Sequence, residues 1–180
     1  MLFGRDFAKL FDRLISPEYL SNHEVLYRAR ILAGIASLYI LLIALTSVYV
    51  IFFAPFSENN IAITITLLIF MVCGYLLVLY WLRNGERYQH CAEITVLCTY
   101  VGVIVGVATS GGPLESPAMP LLVIPIVLAF TLGEKYSGLL WSSIVFLSHI
   151  AMIGIDRWLF KFPQLLDLSK FLTLHLTHWL

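Results

Sequence analysis

The sequence predicts an all-α fold: a polytopic transmembrane helical bundle of five complete spans and the start of a sixth, preceded by an amphipathic interfacial helix. Three observations predict it. Apolar residues make up 60% of the 180 positions and charged residues only 12%, too few to clothe a soluble domain. The charges fall in short clusters between apolar runs of about 15 to 23 residues, the length that crosses ~30 Å of hydrocarbon at about 1.5 Å per residue. Finally, Lys and Arg are distributed unequally between alternate clusters, which sets an orientation.

The N-terminal element is the interfacial helix, within residues 1–20. Leu2, Phe3, Phe7, Leu10, Phe11 and Leu14 recur at helical spacing, with Arg5, Asp6, Lys9, Asp12 and Arg13 on the opposite side. Such a stripe lies in the headgroup zone and is too charged to insert. Ser16-Pro17 ends it. The long apolar run begins only near Ile31 with no small-residue cleavage pattern after it, so the start does not read as a secretory signal.

Residues 21–180 form the second unit, the transmembrane bundle, expected to break off within its sixth helix. Ser21 followed three residues later by Glu24 reads as a capping box that opens a helix near Asn22. The expected spans are 31–53, 61–82, 91–110, 115–132 and 138–155, with another apolar stretch opening near 167. With the amino end in the cytoplasm, Arg5, Lys9, Arg13, Arg28, Arg30, Arg83, Arg87 and Lys135 lie inside and Arg157, Lys161 and Lys170 outside, eight against three. The positive-inside rule therefore orients the chain N-in, as a multi-pass inner-membrane protein. Tyr80, Trp81, Tyr88, Tyr136 and Trp141 are expected as aromatic anchors at the inner boundary, and Tyr49, Phe52, Phe53, Trp158 and Phe160 at the outer one. Phe171 to Leu180 would rise about 15 Å, half a bilayer. The expectation is that the sixth helix continues past residue 180 and delivers a cytoplasmic module.

The loop from Thr109 to Pro117, Thr-Ser-Gly-Gly-Pro-Leu-Glu-Ser-Pro, is the segment with a specific shape. Gly111 and Gly112 permit left-handed backbone, and Pro113 and Pro117 fix turns. Pro120 and Pro125 follow and are expected to kink the fourth span and open a cavity. Ser110, Gly111, Gly112, Glu115 and Ser116 form a candidate ligand-binding loop, Glu115 being its acid; the alternative is a plain hairpin.

The order Ser-Gly-Gly, Ser116-Pro117, Pro125, Gly133, Gly138 and Trp141 resembles the pattern through spans three to five of N-terminal multi-helix sensor domains of bacterial signalling proteins, the MASE-type group. The resemblance covers about 35 residues. It implies a membrane part preceding a diguanylate cyclase, a histidine kinase or a class III nucleotide cyclase, and for such an output enzyme a parallel homodimer.

An ionisable group inside the bilayer costs several kcal/mol and calls for a reason. Glu93 lies within a turn of the inner edge near Arg87 and His90, where local pairing is the simple account and a ligand or proton site the alternative. His149 sits well inside the fifth span beside Ser148. It is expected either to bond a neighbouring helix or to bind a ligand. His175 is expected at similar depth, so His149 and His175, with His178 one turn deeper, are candidate axial ligands for a b-type haem. Cys73, Cys91 and Cys98 show no zinc spacing and read as packing residues. Gly102-x-x-x-Gly106 matches the small-xxx-small pattern of close helix approach, internal or at a dimer seam.

No Ser-His-Asp order, HExxH helix, P-loop or Rossmann glycine pattern occurs, so no catalytic residue is assigned and this segment is not expected to be an enzyme. The zero formal net charge gives no reason to expect a nucleic-acid partner. The expected partners are the lipid bilayer, a second copy, an output domain beyond residue 180 and a small lipophilic ligand. A transporter is the competing class, since broken helices also carry Gly and Pro in mid-membrane. Against it, the Gly-Gly-Pro segment has no second copy.

Overall fold

Four apolar runs form helices long enough to cross a bilayer, and the computed structural model packs them into one bundle. It describes residues 12, 14–21, 23–53, 58–85, 87–110, 112–116, 118–133 and 135–158. The expected interfacial helix before residue 12 and the expected sixth helix lie outside these residues. So do Gly111, His175 and His178.

A 3-10 turn over Pro17–Ser21 leads into α1 (His23–Phe53), and α2 (Glu58–Arg83) and α3 (Tyr88–Thr109) follow. A second 3-10 turn, Met119–Leu122, runs into the short α4 (Val123–Leu132), and α5 (Lys135–Trp158) closes the described chain. Apart from the turns and loops, the described residues are helical.

The side-chain partners fix the helix directions. Tyr75 bonds Thr99, while Gly74 faces Cys98 and Gly102 faces Met71, so positions rise on α3 as they fall on α2. The two helices are antiparallel. Between α3 and α5 the partners are Glu93 with Trp141 and Tyr100 with Ser148, each 48 residues apart, so these two run parallel. The segment between them, 110–134, therefore returns along the bundle.

Small residues let the helices close on one another. Ala29, Ala33 and Ala36 of α1 are fully buried, in a core that also takes Tyr75, Val78 and Leu82 of α2 and Cys91, Ala92 and Val96 of α3. A Cβ on Gly74 would overlap the Cys98 thiol, and one on Gly102 would meet Met71. Gly106 faces Ala118. The Gly102-x-x-x-Gly106 pattern thus serves packing within the chain. Among the cysteines, Cys91 and Cys98 are buried as expected, while Cys73 is exposed on the outer face of α2.

That outer face is apolar around the bundle. Leu41, Leu45, Ile69, Phe70, Phe146 and Leu147 are all more than half exposed or nearly so. Exposed apolar surface on this scale suits a bilayer, where lipid tails replace water as solvent.

The polar caps close one end. Arg30 grips Asp12 through Nε at 2.8 Å and Nη2 at 3.0 Å, and the Ser16 backbone N–H donates to Leu82 at 2.9 Å. These bonds tie the N-terminal segment to α1 and to the end of α2. Gly85, at φ 77°, then turns the chain into α3, a backbone shape that glycine adopts without strain.

The fourth expected span, 115–132, takes a different form. Its helical part covers only Met119–Leu132 and begins as a 3-10 turn. Pro120 lies in the first turn of that segment, and Pro125 in the first turn of α4. The first backbone N–H groups of a helix have no partner within it, so proline there removes nothing. The prolines accordingly mark helix starts rather than a kink within a full-length span.

Candidate functional site

Two polar bridges join α3 to α5. Glu93 stands one turn into α3, half-buried, and accepts the indole N–H of Trp141 on Oε2 at 2.6 Å. Two turns further along both helices, the Tyr100 and Ser148 hydroxyls share a hydrogen bond. The Tyr100 and Trp141 rings lie 5.7 Å apart, tilted by 57°. Long side chains thus span two helices whose backbones are separated by α4.

This pairing differs from the local one expected for Glu93. Its partner is Trp141, which is itself buried at 7% exposure. An indole N–H is a donor with no acceptor capacity, and a carboxylate is its natural match inside apolar surroundings.

A second polar line joins α1, α2 and α3. Tyr39 stacks on Tyr75 at 5.1 Å and 4°, and Tyr75 bonds the Thr99 hydroxyl at 2.9 Å. Thr99 in turn donates to the Thr95 carbonyl at 2.8 Å, and Thr95 to that of Cys91 at 2.9 Å. The Tyr75, Thr99 and Thr95 hydroxyls are each satisfied, which is what a buried polar network requires.

On the other side of α5, a groove of about 780 Å³ runs beside the Met119–Leu132 segment. Pro120, Val123, Ile126 and Phe146 give it apolar walls, and Ser143 and His149 bring polar atoms. Ser143 donates to the Leu139 carbonyl at 3.0 Å. Ser142, also on the wall, donates to that of Gly138 at 2.8 Å. The His149 imidazole has no hydrogen-bond partner among the described residues, and it follows directly on Ser148, the α5 end of the second bridge.

The Ser-Gly-Gly-Pro loop is shaped as expected. Gly112 takes φ 82° and its N–H donates to Val107 at 3.0 Å, while Ser116 N–H donates to Gly112 at 2.9 Å. Ser110 and Ser116 are buried and share a hydroxyl hydrogen bond, and the Ser116 hydroxyl accepts the Ala118 N–H at 3.1 Å. These serines hold the loop together, whereas Glu115 is exposed. The expected ligand residues therefore separate into three places: Ser110, Gly112, Glu115 and Ser116 in the loop, Glu93 at the Trp141 bridge, and His149 in the groove.

The expected haem pair divides at the edge of the described residues: His149 faces the groove, and His175 lies outside them. Among the described residues no cluster of His, Cys, Asp and Glu is arranged to hold a metal ion. Comparison with protein-family models, curated proteins and solved structures finds no match.

Proposed function

We propose that the chain is a sensory membrane anchor of a bacterial receptor. A small lipophilic ligand enters the groove at His149, and the resulting shift of α5 passes through the segment that follows it to a cytoplasmic output module. One observation carries this reading: the groove and the α3–α5 bridges share the same stretch of α5, with His149 adjoining Ser148.

The physical logic is a differential contact. A ligand moves an equilibrium only if it binds one packing better than another. A molecule with a hydrogen-bonding head pairs with the His149 imidazole while its apolar body fills the groove, and both contacts depend on where α5 sits against α4. The two bridges give α5 discrete register positions on α3, since Trp141 and Ser148 must keep or exchange their partners together. A parallel homodimer would present two such helices to a symmetric output enzyme.

The test uses the intact gene product in native membranes. Ser143→Trp fills the groove, while Leu140→Trp changes the exposed outer face of the same helix. The expected result is that Ser143→Trp locks output at one extreme and Leu140→Trp leaves it unchanged. Equal responses to both substitutions, or a gene product without a cytoplasmic module, would contradict the reading.

A further inference from the structure

The groove beside α5 discriminates among lipophilic molecules by where its polar atoms stand. His149 follows Lys135 by fourteen residues and precedes Asp156 by seven. At about 1.5 Å per residue, the imidazole lies about 10 Å inside the end marked by Asp156 and Arg157 and about 21 Å from the other end. In a bilayer with ~30 Å of hydrocarbon, both distances put it among acyl chains, beneath the headgroups. A head with a fixed charge, such as a phosphate or a quaternary ammonium, reaches that depth only by giving up its hydration, which is costly. An uncharged head reaches it freely.

The chemistry of the wall then selects among uncharged heads. Ser142 and Ser143 already donate their hydroxyl protons to the Gly138 and Leu139 carbonyls. Among the residues that line the groove, His149 is the one titratable group, and the facing wall of Met119, Pro120, Val123 and Ile126 is apolar. A neutral imidazole carries one N–H donor and one basic nitrogen. The complement of a base is an acid. A carboxyl group that enters neutral can pass its proton to the ring, and the bond becomes charge-assisted, roughly twice as strong as one between neutral groups. An alcohol lacks the acidity for this, and an ester has no O–H.

The length of the groove adds a second constraint. Its α5 wall runs from Leu139 to His149, a rise of about 15 Å, which is half the hydrocarbon thickness and so the reach of one acyl chain. Building on the ligand site described under Proposed function, we propose that the groove binds a long-chain fatty acid. Its carboxyl group donates to His149, and its chain lies along α5 toward Leu139.

The experiment reconstitutes the full chain in phosphatidylcholine nanodiscs and uses palmitic acid bearing a mid-chain diazirine as the probe. After illumination, labelled residues are mapped by mass spectrometry. Labels are expected on the two walls of the groove and should be suppressed by plain palmitic acid. Hexadecanol and methyl palmitate should compete about tenfold less well, the factor one hydrogen bond supplies, and lysophosphatidylcholine of the same chain length should not compete. His149→Leu should lower labelling by a similar factor. The competition series uses the wild-type chain, so it does not depend on how a variant folds. Equal competition by the ester, the alcohol or the lysophospholipid, or unchanged labelling in His149→Leu, would overturn the proposal. The expected selectivity supports it even where output does not respond to the acid, a result that would count against the sensory reading alone.

Discussion

Trp141 on α5 donates its indole N–H to Glu93 on α3 across 2.6 Å, although 48 residues separate them in the chain. The bond joins two parallel helices and leaves neither side chain unpaired. Removing the donor strands a half-buried carboxylate, and removing the acceptor strands a buried indole N–H. Trp141→Phe should therefore cost about 1–3 kcal/mol. In a cycle of Trp141→Phe, Glu93→Ala and the double variant, the coupling should fall at about 0.6–1.7 kcal/mol, the span measured between membrane helices. Reversible unfolding in mixed micelles reads both numbers, and strict additivity would show that the pair does not interact.

The two tyrosine bridges should be weaker. Thr99 keeps its bond to the Thr95 carbonyl at 2.8 Å and Ser148 its bond to that of Ile144 at 2.7 Å when the tyrosine hydroxyl is deleted. Neither Tyr75→Phe nor Tyr100→Phe leaves an orphan group behind, so each should cost about 0.5–1.5 kcal/mol in the same unfolding assay.

Gly74 is expected to be intolerant of a single methyl group. A Cβ there would overlap Cys98 Sγ, which belongs to the facing helix and is itself buried. Gly74→Ala should destabilise the bundle by about 1–3 kcal/mol through overpacking. Cys98→Ala removes the obstructing sulfur, so the double variant should recover most of that loss. A Gly74→Ala protein as stable as the wild type would mean that α2 and α3 are further apart than described.

Gly85→Ala tests the turn between α2 and α3. The residue sits at φ 77°, and an added Cβ would lie 2.7 Å from Glu18 Oε2. The left-handed backbone alone should cost about 1–2 kcal/mol. Replacing Glu18 by Ala beside it removes the contact but not the backbone strain, so it should restore only part of the stability.

Much of the helical layout was legible in the sequence. The expected spans 31–53, 61–82, 91–110 and 138–155 fall on α1, α2, α3 and α5, because run length and charge clustering are local properties that hydrophobic matching reads directly. The fourth was misread in form: proline was taken to kink a helix interior, where in fact it sits in first turns. Glycine and proline did signal the shape of the loop after α3, and Gly112 holds the expected left-handed conformation.

The site was less legible. Glu93 stood out as an acid within a span, but its partner is fixed by the register of α5 against α3, which no local pattern encodes. The spacing did hold one clue: Glu93 and Tyr100 are seven residues apart, as are Trp141 and Ser148, the repeat by which two parallel helices present one seam. Tyr88, read as an aromatic anchor, gave no sign that its hydroxyl would be enclosed.

The exposed apolar faces of the bundle fit contact with lipid, and Cys73 offers a direct probe of it. This thiol lies midway along α2 and is exposed, whereas Cys91 and Cys98 are buried. A nitroxide attached to Cys73 in reconstituted protein, with the other two cysteines replaced by alanine, reports its surroundings by collision with molecular oxygen and with a water-soluble nickel chelate. Frequent oxygen collisions with few from nickel are predicted, as for a site within acyl chains; dominant nickel collisions would place that face in water and contradict the membrane bundle.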